Sequence, residues 1–201
     1  MMAIVVIGGH SRSLGKTSVV AGLIAALPDR NWTAIKITQY GHGICSVNGE
    51  SCGCATDDHT MAITEERDRS GESDTSRFLV AGAARSLWVR TKQGYLAEAM
   101  PELRRRIADA PHVIMESNSV MRFLRPDLYL TVLDYNTADF KDSAREYLDR
   151  AHGVILHGSQ IAKPRWNQVS LKLFEGKPVF KITPPDYVTD EIVSFVKQAL
   201  G

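Results

Sequence analysis

Short apolar runs alternate with helix-length amphipathic segments along the chain. The strand candidates are Ala3–Ile7, Thr33–Thr38, Ser86–Arg90, His112–Glu116, Leu128–Leu133, Gly153–His157 and Pro178–Ile182. Several are continuously apolar, which suits strands covered on both faces. The helix candidates are Gly15–Leu27, Thr75–Ala84, Tyr95–Ala108, Ala138–Arg150 and Val188–Leu200. In the last, Ile192, Val193, Val196 and Leu200 recur at three- and four-residue spacings. The alternation predicts an α/β fold of three layers: a mostly parallel sheet of about seven strands, flanked by helices. No repeat or boundary divides it, so residues 1–201 are read as a single domain.

One region breaks the rhythm. From about 39 to 74 no apolar period is visible. The stretch holds glycines at 41, 43, 49, 53 and 71, many charged side chains and all three cysteines. Structureless loops of such length are unusual in a compact domain and tend to be functional.

The most specific chemistry lies at the start. Residues 4 to 18, IVVIGGHSRSLGKTS, run from a β-branched strand through a glycine turn into Gly-Lys-Thr at the head of an apolar helix. Loop and helix N–H groups in such an arrangement converge on phosphate oxygens, with the helix dipole behind them. Lys16 then reaches the β- and γ-phosphates, and the Thr17 hydroxyl ligates Mg²⁺. The expected nucleotide-binding residues are Gly9, His10, Ser11, Ser13, Leu14, Gly15, Lys16, Thr17 and Ser18. Gly9 and Gly15 enclose five residues, where the commonest form of the motif has four. This longer spacing resembles the P-loop of dethiobiotin synthetase and of the cobyrinic acid diamide synthases.

Composition narrows the partners. The 201 residues are 44% hydrophobic and 23% charged, and 24 Lys plus Arg against 23 Asp plus Glu leave a net charge of +1. Neither nucleic acid nor a membrane surface is favoured by that balance. The dense basic run Arg104–Arg106 reads as a solvated helix face. No apolar stretch approaches the roughly 20 residues of a membrane span. Arg12 and Lys16 interrupt the N-terminal apolar stretch where a secretory signal would not tolerate charge, so a cytoplasmic location is expected.

Further polar residues fall at strand carboxyl ends. Lys36, in TAIKITQYGHG, either points to solvent or neutralises charge developing on a γ-phosphate. Its placement resembles a dethiobiotin synthetase segment, although there the lysine precedes proline and here it precedes Ile37. Glu116 ends the apolar strand HVIME. It is either simply exposed or a second Mg²⁺-site acid that holds a metal-bound water or positions the attacking group. The same place in dethiobiotin synthetase and in MobB carries Glu-Gly, and Ser117 replaces that glycine. The candidate catalytic set is Lys16, Lys36 and Glu116, with Thr17 and Glu116 as Mg²⁺ ligands.

Residues 71 to 90 partly resemble a MobB stretch, through Gly71, Asp74, Arg77, Ala81, Gly82 and Ala83. Arg77 would reach an anionic substrate or phosphate, unless Asp74 and Thr75 merely cap a helix and leave it exposed. Cys45, Cys52 and Cys54 form C-x6-C-x-C, and His59 follows. Three thiolates and an imidazole suffice for tetrahedral zinc, and the thiolates alone for part of an iron–sulfur cluster. GVILHGSQ, residues 153–160, ends in His157 where a base-reading asparagine would stand, and no Asn-Lys-x-Asp is present. ATP is therefore slightly favoured over GTP. Trp166 either stacks on a base or fills a core.

Element order and these motifs resemble the P-loop NTPase group that includes MobB, dethiobiotin synthetase and the nickel-insertion GTPases. The resemblance implies a Mg²⁺-dependent NTPase, a homodimer, and a MobB-like or metallochaperone-like role in cofactor or metal-centre biosynthesis with a client metalloenzyme. The alternative is a dethiobiotin synthetase-like ligase acting on a small anionic substrate; a third is a nucleotide-binding regulator with little turnover.

Overall fold

The apolar runs assemble into one sheet. A computed structural model describes residues 2–40, 60–158, 163–167 and 169–201. Its strands are β1 (Ala3–Gly9), β2 (Trp32–Tyr40), β3 (Met61–Glu65), β4 (Arg85–Lys92), β5 (His112–Glu116), β6 (Leu128–Leu133), β7 (Gly153–His157) and β8 (Val179–Ile182). They lie in the order β3-β4-β2-β5-β1-β6-β7-β8. Every pairing is parallel except β3 with β4. The eighth strand, β3, falls in the region that lacked an apolar period. It is a half-exposed edge strand with no buried face to write a pattern into its sequence.

The helices are α1 (Lys16–Ala26), α2 (Asp74–Val80), α3 (Leu96–Ile107), α4 (Asp142–Tyr147) and α5 (Asp190–Leu200). Helix α4 is shorter than its amphipathic pattern predicts. Residues 138–141 precede it as a non-helical strap, and a 3-10 turn, Leu148–Arg150, follows it. The N-cap of α2 is Ser73, whose hydroxyl accepts the Ser76 N–H at 3.0 Å, rather than Asp74 or Thr75. That leaves the Asp74 carboxylate available for other work. None of the described helices is long and apolar enough to cross a membrane.

Alternate residues of each strand serve opposite layers. Val5 and Ile7 of β1, with Ala34 and Ile114, pack on α1, α2 and α5. Val6, Ile35 and Met115 face α3 and the Tyr147 end of α4. Val5, Val6 and Ile7 are fully buried, at roughly 1.5–3 kcal/mol of transfer free energy each. The exit of β1 is thereby a rigid platform for the loop that follows. The basic run on α3 is solvated as expected: Arg105 and Arg106 pair with Glu102, and Arg104 bonds the Phe123 carbonyl.

Candidate functional site

In a parallel sheet the carboxyl ends of the strands open onto one crevice. The centre of this one is the loop from Gly9 to Gly15, between β1 and α1. Among the described residues, the main-chain N–H groups of residues 11–17 donate to no protein acceptor. They form a concave array of free donors at a helix N-terminus, the arrangement that binds anions. Lys16 reaches back over it and donates to the Ser11 carbonyl at 2.6 Å. Burial, augmented by Lys141 and Lys36 and opposed by Glu116, lowers its pKa to about 8.

Two glycines are required for steric reasons. Gly15 adopts φ +74°, and a Cβ there would lie 2.0 Å from the Tyr187 ring. At Gly9 a Cβ would meet the Lys16 side chain at 2.9 Å and the Val132 carbonyl at 3.1 Å. Asn118, just beyond β5, grips the Gly9 peptide from both sides. Its Oδ1 accepts the Gly9 N–H and its Nδ2 donates to the Gly9 carbonyl, both at 2.9 Å. The side-chain amide thus continues the β1–β5 pairing one step past the strand end. Of the other loop residues, Arg12 and Ser13 are exposed, Ser13 with φ +54°. The Leu14 side chain is buried, and its carbonyl is 2.8 Å from His157 Nε2, which ties β7 to the loop. Ser18 Oγ accepts from Arg77 at 3.0 Å.

His10 differs from its expected role. Its side chain is fully buried beneath the loop, and its own N–H is given to the Val132 carbonyl. The ring Nε2 accepts the Asp134 N–H at 3.0 Å, so Nδ1 carries the proton donated to the Asp139 carbonyl at 2.7 Å. Its ring packs on Phe140 and Trp166, at 5.0 and 4.8 Å between centroids. Burial lowers its pKa against the opposing pull of these polar neighbours. The imidazole is a neutral strut under the phosphate loop. Trp166, with 4% of its surface exposed, fills that same cluster and offers no face to a base.

A second group sits beside the loop on the α1 side of the sheet. Lys36 and Glu116 are register partners on β2 and β5. Lys36 Nζ lies 2.5 Å from Glu116 Oε1, 2.9 Å from Asp74 Oδ2 and 3.4 Å from Thr17 Oγ1. The Thr17 hydroxyl donates to Glu116 Oε2 at 2.7 Å. Neither Lys36 nor Glu116 points to solvent: their side chains are 19% and 4% exposed. Burial alone would lower the pKa of Lys36, but Glu116 and Asp74 outweigh it and hold the ammonium charged. Arg77 stands at the rim, 3.9 Å from Asp74.

The hydroxyl of Thr17 and the carboxylates of Glu116 and Asp74 are hard oxygen donors that suit Mg²⁺. Asp74 and Asn118 were not among the site residues expected from sequence. Asp74 reads, with Thr75, as a helix cap, and an asparagine beyond a strand end carries no local signal. Cys45, Cys52, Cys54 and His59 lie outside the described residues, and among the described residues no cluster of metal-ligating side chains occurs.

The fold has solved counterparts. A crystal structure of LpxK from Aquifex aeolicus in complex with ATP superposes with a TM-score of 0.51 at 18% identity, over 90% of this chain. The chain spans about half of LpxK, 53% of its length. The fold is that of the P-loop NTPases. HypB from Helicobacter pylori in complex with nickel (TM-score 0.47, 14% identity, 98% of this chain and 85% of that one) and Bacillus subtilis MobB (0.41, 14%, 98% and 98%) are more distant in shape. No family model and no curated protein matches the sequence.

Proposed function

We propose that the chain binds a nucleoside triphosphate with Mg²⁺ and transfers its γ-phosphoryl group, to water in the reading we favour. The observation that carries this is the meeting of Thr17, Lys36 and Glu116 at the mouth of a ring of free amides. The amides and Lys16 hold the phosphates, and Thr17 with Glu116 and Asp74 would hold the metal. Mg²⁺, when bound, neutralises charge on the β- and γ-phosphates. Once Glu116 and Asp74 turn their oxygens to that task, Lys36 loses its partners and is free to swing onto the γ-phosphate. There its ammonium stabilises charge that develops only in the transition state. Glu116 then positions the attacking group.

We further infer a role in cofactor or metal-centre biosynthesis, supported by the cysteine-bearing segment. Its flanking residues Tyr40 and Met61 stand opposite Lys92 and Thr91 of β4, at the carboxyl edge of the sheet where the phosphate loop lies. Cys45, Cys52, Cys54 and His59 would hold zinc or an iron–sulfur cluster, and hydrolysis would switch that segment. A homodimer with its site near the interface, a cytoplasmic location and a slight preference for ATP belong to this reading. One observation favours the alternative of an ATP-dependent ligase: Arg77, with 41% of its side chain exposed, offers a cation at the rim to a small anion.

Calorimetric titration of ATP and GTP, with and without Mg²⁺, tests the core of the proposal. Micromolar or tighter binding that Lys16→Ala abolishes is expected; unchanged affinity in the variant would refute it. Elemental analysis of protein prepared anaerobically without chelator then separates the roles. Near-stoichiometric metal, lost with Cys52→Ser and Cys54→Ser, supports the biosynthetic role. Its absence, with turnover at background until a small anion is added, supports the ligase.

A further inference from the structure

The mouth of the phosphate loop holds more positive charge than its acids neutralise. Lys36 is taken up by Glu116 and Asp74, and Arg77 by Ser18 and Asp74. The Asp139 carboxylate accepts the Ser11 hydroxyl at 2.6 Å. Lys16 has only a carbonyl. Two further cations, Arg12 and Lys141, have no hydrogen-bonded or ion-paired side-chain partner among the described residues. Arg12 is exposed, but Lys141 is half-buried. A lysine drawn out of bulk water without a bonded counter-ion is costly, and a perturbed cation of this kind in a cleft marks a candidate functional site.

The backbone around Lys141 shows how it comes to be there. Between β6 and α4 the chain doubles back beneath the loop as a strap. Asp139 bonds the His10 ring through its carbonyl and the Ser11 hydroxyl through its carboxylate. Two residues on, the Lys141 N–H donates to the His10 carbonyl at 2.8 Å. The strap is thus stitched to two consecutive residues of the phosphate loop by three hydrogen bonds. Its lysine is held in extended backbone (φ −63°, ψ 141°) just before α4. From there the ammonium feels Arg12, Asp139, Lys36 and Glu116, and Lys16 in turn feels it. Burial and the charge of Arg12 lower its pKa, as expected of a cation facing other cations. The groups around it are therefore those that surround the phosphate end of the site.

We propose that Lys141 is a third phosphate-binding lysine, which contacts the terminal phosphate and lets the site distinguish a nucleoside triphosphate from a diphosphate. This rests on the nucleotide-binding reading above. With a diphosphate bound, Lys16 and the loop amides are satisfied and Lys141 still lacks its anion. With a triphosphate bound, the added charge is shared among Lys16, Lys36 and Lys141. Because the strap is bonded to His10 and Ser11, the terminal phosphate also gains a mechanical connection to α4.

The test uses the full chain and two probes, Mg·ADP and the Mg complex of the β,γ-imido analogue of ATP, titrated into wild type, Lys141→Ala and Lys141→Arg. Lys141→Ala should weaken the triphosphate analogue about tenfold or more, as for loss of one charge-assisted contact. It should leave ADP within about twofold, and Lys141→Arg should recover most of the difference. Equal loss for both probes, or no loss for either, would overturn the proposal while leaving the nucleotide-binding reading intact. Wild type that binds neither probe would overturn both. Should Lys141→Ala fail to fold, acylation of wild-type Lys141 by an acetylating reagent, followed by mass spectrometry, decides the matter. Protection by the triphosphate analogue and not by ADP is expected; equal protection by the two overturns it.

Discussion

Glu116 and Lys36 are neighbours twice over, opposite one another in the register of β5 and β2 and joined at 2.5 Å through their side chains. The ammonium of Lys36, surrounded by Glu116, Asp74 and the Thr17 hydroxyl, stands among the oxygens that suit a divalent cation. Lysine and metal therefore compete for the same carboxylates. Removing the lysine should strengthen Mg²⁺ binding even as it cripples turnover. Lys36→Ala is expected to bind Mg²⁺, without nucleotide, about tenfold more tightly than wild type, roughly 1.4 kcal/mol. Mn²⁺ titration followed by electron paramagnetic resonance reads this directly, and an unchanged or weakened affinity would count against the exchange.

Lys16 offers the complementary case. Its buried ammonium is bonded only to a carbonyl, and burial holds its pKa down near 8. The nucleotide-free protein carries this desolvated charge as a cost. Lys16→Met should abolish triphosphate binding and still raise the melting temperature of the nucleotide-free protein, by about 2–4 °C for each kcal/mol relieved. A melting temperature below that of wild type would show that Lys16 stabilises the loop instead.

At Gly15 two obstacles to a side chain can be separated. The positive φ costs an alanine about 1–2 kcal/mol, and the Tyr187 ring occupies the Cβ position. Gly15→Ala should therefore lose nucleotide binding and stability together. Adding Tyr187→Ala should restore part of the stability, read by urea denaturation, because it relieves the clash and leaves the dihedral strain. A strictly additive double variant would mean that the ring moves aside without cost.

His10 makes the fold sensitive to acid. Its folded-state pKa is depressed by burial, so below about 6.5 the unfolded chain takes up a proton that the folded chain resists. Its contribution to stability is present above that pH and is lost as pH falls towards the folded value. Denaturant midpoints measured from pH 7.5 to 5 should fall. His10→Gln, less stable at neutral pH through lost packing, should show a flatter slope over the same range. Parallel slopes in the two proteins would assign the acid response to other groups.

How much of this was legible in the chain depends on where each residue's constraint lies. Strands β5, β6 and β7 have the bounds their sequences suggest, because buried runs such as Leu128–Leu133 are delimited by abrupt changes of polarity. Thr17, Lys36 and Glu116 stand out in the sequence because strand ends and the Gly-Lys-Thr turn mark them locally, and they lie within hydrogen-bonding range of one another, whereas Lys16 turns to the Ser11 carbonyl. Strand β3 was invisible, being a short edge strand with no buried stripe. The start of α4 was misread because Phe140 continues an amphipathic pattern while packing on His10 instead of the sheet. His10 itself looked like a ligand contact from its place in the motif. Its actual partners, Asp134 and Asp139, lie far along the chain, and only the turn-forming run Asp134-Tyr135-Asn136-Thr137 hinted at a bend there. Asn118 was missed for the same reason, since its partner Gly9 is distant in sequence.

Those distant partners carry a consequence for how the molecule is built. The loop from Gly9 to Gly15 precedes its supports in the chain by more than a hundred residues. Gly9 needs Asn118, His10 needs Asp134 and Asp139, Gly15 needs the space beside Tyr187, and Leu14 is tied to His157. Contacts of such long sequence separation form late, because the intervening chain must first be closed. A nascent chain ending before β5 holds the whole motif in its sequence but none of these distant partners. Competence to bind nucleotide should therefore arrive only after Asp134, Asp139 and His157 have been added to the chain and have packed against the loop.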